Sequence, residues 1–177
     1  KYAIEHWTRV PVEIDIASEF RYRDPVLGPN TLTLAVSQSG ETIDTLEAAR
    51  HASRQGSKVI AVTNTIGSSL AREADAVMYT HAGPEICVAA TKTFATQMAA
   101  LHLVALYLAQ IRGAMFPVEI GDIVSRMREL PSQVRRTLAL SEPMPLVAAM
   151  AWPAHALGAS LATAVTLALV TQLVLDG

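Results

Sequence analysis

Three hydroxyls and a glycine fall within one short stretch, Ser37-Gln38-Ser39-Gly40-Glu41-Thr42. An apolar run, Thr31 to Val36, leads into it, and a helical pattern starting near Thr42 leads out. The stretch therefore sits on a strand-to-helix turn, where free N–H groups and the positive end of a helix dipole face outward. Ser37, Ser39 and Thr42 add side-chain donors, and Gly40 lets a ligand approach the backbone closely. The chemistry that suits such a turn is the holding of a small anion, above all a phosphate. The turn has no lysine and lacks the GxGxxG spacing, so it is neither a Walker A loop nor a dinucleotide fingerprint. Neutral donors fit a sugar phosphate held without strong charge pairing. The alternative, on the residues alone, is an ordinary turn with a hydroxyl cap.

No second cluster competes with this one. His6, His81, His102 and His155 do not have metal-ligand spacing, and the lone Cys87 adds nothing to them. No metal site and no cofactor are expected. His51 lies four residues after Glu47 and reads as a solvated helix position without chemistry.

The 177 residues are enough for one domain with a substantial core. A net charge of −2 offers no basic field to nucleic acid. One cysteine excludes an internal disulfide framework and fits a reducing, cytoplasmic setting. No signal peptide is expected from the opening residues. The start, Lys1 to Trp7, reads as the middle of a helix without a cap, as in an internal piece of a larger protein.

The elements that position the turn follow from periodicity. Residues 1–8 read as the end of an amphipathic helix. Residues 12–16 alternate apolar and acidic, as in an edge strand. Residues 18–23 form a short helical turn capped by Ser18. Strands are expected at 31–36, 59–63 and 75–79, with helices at 42–55 and 69–73 between them. Such alternation calls for a parallel sheet with right-handed crossovers, and ligands sit above the carboxyl ends of such strands. The helix at 91–112 is apolar nearly all round, as in a core helix or one that also serves a subunit interface. Residues 117–140 read as two surface helices divided at Pro131, and a further short helix is expected at 145–151. From Trp152 to Gly177 the only charged residue is Asp176. The length admits a membrane span, but Thr, Ser, Gly and Gln within it favour a helix covered by protein or a tail unlike the native continuation.

Three separated motifs carry a resemblance. They are Ser37 to Thr42, Glu13 to Arg23 before it, and Ala82 to Phe94 after it. Over residues 1–151 the chain resembles the first sugar isomerase (SIS) domain of the glutamine–fructose-6-phosphate aminotransferase family. The resemblance implies an α/β fold, a three-layer α/β/α doubly wound parallel sheet of flavodoxin type. It implies a homodimer that binds fructose 6-phosphate. By resemblance, Ser37, Gln38, Ser39 and Thr42 hold the sugar phosphate, and the backbone of Val88 touches the sugar. It implies an SIS domain over 1–113 and a helical connector toward a second SIS domain over 114–151; the composition break at Trp152 sets off an apolar tail over 152–177, where that second domain's opening pattern is not found.

Several departures stand out. The family's first central strand, ending in a Gly-Thr-Ser turn, belongs before Lys1. The glutaminase domain with its cysteine nucleophile, and the second SIS domain with the isomerisation lysine and glutamate, belong elsewhere in the parent chain. No catalytic residue is therefore expected in this segment. Ala90 and Cys87 replace the usual Ser and Gly, removing one hydroxyl near the sugar. In the family's strand order the absent strand lies between 12–16 and 31–36, so those two must pair, leave a gap or recruit the tail. A marginal, aggregation-prone segment is the expectation. A non-catalytic sugar-phosphate sensor is the alternative function.

Overall fold

Runs of apolar residues and Thr, too short for helices, form the strands: β1 (Leu32–Ser37), β2 (Lys58–Thr63) and β3 (Ala76–Tyr79). The structure is a computed structural model and describes residues 1–85 and 91–140. The strands pair in parallel in the order β1-β2-β3. Ser37 lies opposite Thr63, and Thr63 opposite Tyr79. All three strands therefore end at one edge of the sheet, and whatever follows each of them leaves from that edge. The α/β class and the parallel sheet agree with the sequence.

The crossovers are α3 (Ile43–Arg54) and α4 (Ser69–Glu73). Leu46, Ala49 and Ala52 of α3 and Leu70 of α4 bury against Ala35, Val59 and Ala61 of the sheet. Alanines on the inner face of α3 let the helix lie close to the strands. Phe20 of α2 (Ala17–Arg23) packs onto the same cluster. Alternate residues face the other side of the sheet, where Val62 is fully buried.

The chain divides into two compact units. The first, Lys1 with Pro11–Val104, holds the sheet, α2, α3, α4 and the first part of α5 (Thr91–Ile111). The second holds α1 (Tyr2–Thr8), the end of α5 and α6 (Pro117–Leu140). Within it Ile4, Trp7, Ala105, Leu106 and Ala109 are buried, and Arg112 Nε donates to the Thr8 carbonyl at 3.2 Å. Among the described residues, α5 is the one helix long and apolar enough to cross a membrane, a test that a soluble core helix also passes.

Several expectations need correction. Residues 12–16 form no strand. Ile14 and Ile16 are largely exposed, and Asp15 accepts the Ile16 N–H at 2.9 Å while pairing with Arg23 at 2.6 Å. Alternation makes a strand only where a partner backbone lies alongside, and these local bonds turn the segment into α2 instead. Ile16, not Ser18, occupies the capping position of α2. Pro131 does not divide 117–140, which is one helix. Pro131 lies on an exposed face, so the carbonyl that its missing N–H leaves unbonded is free to meet water, and the Ser132 hydroxyl donates to the nearby Glu129 carbonyl at 2.7 Å.

His51 is not a solvated partner of Glu47, which pairs with Arg50. It sits edge-on to Phe20 and 3.2 Å from Asp24. Residues 145–151 and the 152–177 tail lie outside the described residues.

Candidate functional site

Ser37 ends β1 and is buried. Its Oγ accepts the Gly40 N–H at 3.0 Å and lies 3.2 Å from Thr42 Oγ1. Two hydroxyls in contact share one bond, so one of their two protons remains for a guest. Ser39 turns back on its own loop, its Oγ accepting the Glu41 N–H at 3.2 Å. Gln38 is held by its backbone, since its carbonyl accepts the Asn64 N–H at 3.0 Å and the Thr63 hydroxyl at 3.4 Å. The structure thus brings the Ser37 and Thr42 hydroxyls together and engages Ser39 and Gln38 in holding the turn. Val88, Cys87 and Ala90 lie outside the described residues.

Thr42 occupies the capping position of α3, with φ −65° and ψ 116°, but its side chain makes no capping bond. The first-turn N–H groups at Ile43, Asp44 and Thr45 therefore have no capping side chain to accept from them, and the dipole of a 12-residue helix stands behind them. Nearby carboxylates would oppose an anion, and both are engaged elsewhere. Glu41 accepts the Ser69 N–H at 2.8 Å, and Asp44 lies 3.5 Å from Arg21. The Ser69 backbone and side chain hold the Glu41 carboxyl below the ordinary glutamate range, and Arg72 adds to this. The arrangement can hold an anion through neutral donors and, among the described residues, has no group placed for acid–base chemistry.

The turn is fixed from below by α4. Gly40 has φ +67°, and a Cβ there would collide with Ser68 Oγ and lie 2.8 Å from Thr63 Oγ1. The Gly40 carbonyl accepts the Leu70 N–H at 3.0 Å. Sequence reasoning gave Ser68, Glu41 and Asn64 no role. A signal was present: Asn64 to Ser69 is a second hydroxyl-rich strand-to-helix turn, leaving the same edge as the first. Among the described residues no group of His, Cys, Asp and Glu is gathered to hold a metal ion.

The family profile of the SIS domain matches residues 1–107. The chain belongs to the SIS domain family. This SIS domain is 58% identical over 144 residues to the glutamine–fructose-6-phosphate aminotransferase (isomerizing) of Streptomyces coelicolor, a match covering 81% of this chain and 23% of that protein. It is 61% identical over 139 residues to the enzyme of the same name from Mycolicibacterium smegmatis, covering 78% and 22%. A solved C-terminal domain of glucosamine-fructose-6-phosphate aminotransferase from Francisella tularensis superposes with a TM-score of 0.76 at 39% identity, covering 79% of this chain and 40% of that one. The chain spans less than a quarter of the length of these two curated relatives.

Two predictions follow from the geometry of the turn. Gly40→Ala lowers stability by about 2 kcal/mol or more, since overpacking and a left-handed backbone act together. Gly28→Ala, with nothing near its Cβ, is close to neutral. Urea denaturation of both variants checks this, and equal effects contradict it. The second concerns pH. The folded-state pKa of Glu41 is depressed, so its contribution to stability is complete above the ordinary glutamate pKa and is lost as pH falls through the folded value. Glu41→Gln flattens the acid limb of the stability–pH curve, measured by urea midpoints at successive pH values; an unchanged limb contradicts the assignment.

Proposed function

We propose that the chain is the sugar-phosphate-binding SIS domain of an enzyme that converts fructose 6-phosphate and glutamine to glucosamine 6-phosphate and glutamate. The observation that carries this is the turn from Ser37 to Thr42: contacting hydroxyls, uncapped first-turn N–H groups of α3, and both adjacent carboxylates engaged elsewhere. Relatives named as that aminotransferase at 58–61% identity support it, and no relative cited above carries a regulator's name that would favour a sensor. In this reading Ser37, Gln38, Ser39 and Thr42 grip the phosphate, and the backbone of Val88 meets the sugar. The segment contributes binding and orientation, while the groups that move protons and release ammonia lie in other parts of the parent protein.

The domain boundaries proposed are 1–113 for the SIS domain and 114–151 for a connector toward a second one. The proposal includes a cytoplasmic homodimer. Support for the dimer is the stripe Leu103, Tyr107 and Ile111 along α5, exposed at 43%, 63% and 63%. The single cysteine is consistent with the reducing setting.

The magnitudes indicate a weak grip by this segment alone. A helix N-terminus contributes up to about 2 kcal/mol to a partly buried anion, and each neutral hydrogen bond about 1 kcal/mol. A total near 4 kcal/mol corresponds to roughly millimolar affinity. Thr42→Ala and Ser39→Ala, set in the complete enzyme, each weaken fructose 6-phosphate binding by about fivefold, the equivalent of one hydrogen bond. Substrate affinity unchanged in both variants refutes the assignment.

A further inference from the structure

The phosphate turn is not the only segment to leave the carboxyl edge of the sheet. β3 ends at Tyr79, in register with Thr63 of β2, and the chain then runs through Thr80, His81, Ala82 and Gly83. Asn64, the first residue after β2, bonds to both segments. Its N–H donates to the Gln38 carbonyl at 3.0 Å, on the phosphate turn. Its side-chain Oδ1 accepts the Thr80 hydroxyl at 3.0 Å and the Ala82 N–H at 2.8 Å. Its Nδ2 donates to the Gly83 carbonyl at 2.8 Å. One residue thus uses its backbone N–H and both ends of its side-chain amide.

The far end of the segment is held as well. Glu85 Oε2 accepts the Thr93 hydroxyl at 3.1 Å, and Thr93 is fully buried at the start of α5. Within the stretch that Asn64 holds, His81 and Gly83 have left-handed backbones, with φ of 50° and 74°. A non-glycine residue in that region persists only where its surroundings hold it. The segment is therefore a strap fixed at both ends rather than a free loop.

We propose that Asn64 is a positioning residue that sets the Thr80–Gly83 strap relative to the phosphate turn, and that the strap decides which phosphate ester the turn accepts. This rests on the phosphate reading given above. An ester held at Ser37–Thr42 extends its organic part across the same edge that the strap leaves from. Bare phosphate has no such part and needs only the turn. Asn64 acts on the ligand through the strap, and its link to the turn is made by backbone that a substitution leaves in place.

The test compares two ligands and two amides in the chain carrying Asn64→Ala or, independently, Thr80→Val. Thr80→Val removes one bond of the strap without touching Asn64. Ligand affinities are read by NMR titration with fructose 6-phosphate and with inorganic phosphate. In Asn64→Ala the sugar phosphate binds about fivefold or more weakly, whereas inorganic phosphate stays within about twofold of the wild type. Hydrogen exchange at Ala82 quickens about tenfold while Gly40 exchange is unchanged. Thr80→Val shows the same pattern at smaller amplitude. Parallel weakening of both ligands overturns the inference, because it marks damage to the turn itself. So does unchanged selectivity with a quickened Ala82 amide. A wild-type chain that binds neither ligand removes the phosphate reading, and the inference with it, whatever the amides show.

Discussion

Gly40 is where the two strand-to-helix turns meet. Its Cα faces Ser68 and Thr63 so closely that a single methyl group would collide with both, and its φ of +67° disfavours any L side chain. This close approach lets the Gly40 carbonyl take the Leu70 N–H and lets Glu41 reach the Ser69 N–H. The Ser37–Thr42 turn is consequently a layer resting on the start of α4. Leu70, fully buried against the sheet, fixes α4 in turn. Core packing is thus passed to the Ser37–Thr42 turn through backbone contacts, and little is left to side-chain flexibility. Preorganisation of this kind lowers the entropy lost on binding.

Electrostatics works here by removal rather than by supply. The turn carries no lysine or arginine, and its own carboxylate would oppose a phosphate. Glu41 faces α4, and Asp44 lies near Arg21. What the turn itself offers an anion is neutral: hydroxyl protons, first-turn N–H groups and a helix dipole. Such a grip is modest in energy and well defined in direction. That suits the proposed reading, in which this segment places a sugar phosphate and other parts of a longer protein perform the chemistry. The Arg50 guanidinium, bonded to Glu73 and Glu47, ties α3 to α4 on the exposed side and keeps the helix that supplies the dipole in register with the buttress.

Much of this was legible in the residues. The strands and crossover helices of the sheet fell within a residue or so of their positions, because apolar runs and caps are local signals. The turn at 37–42 was legible for the same reason. What escaped depends on neighbours distant in sequence. The alternation at 12–16 was genuine, but no strand among the described residues pairs with it to complete a ladder. His51 looked solvated because its partners, Phe20 of α2 and Asp24 just after it, lie about thirty residues earlier in the chain. Pro131 looked like a helix break because the cost of a lost N–H is local, whereas the tolerance of an exposed face is not. The turn from Asn64 was visible, but the role of Asn64 within it was not, since its four bonds reach residues 38, 80, 82 and 83.

The most direct test of the phosphate grip is a residue-resolved amide titration of this chain with fructose 6-phosphate. The account predicts saturable shifts centred on Ile43, Asp44 and Thr45, where α3 begins without a capping bond, with Lys58 and Asp75 at the opposite edge of the sheet unmoved. Shifts that avoid the start of α3, or none up to tens of millimolar ligand (a roughly tenfold excess over the affinity argued from the bond count), would contradict it.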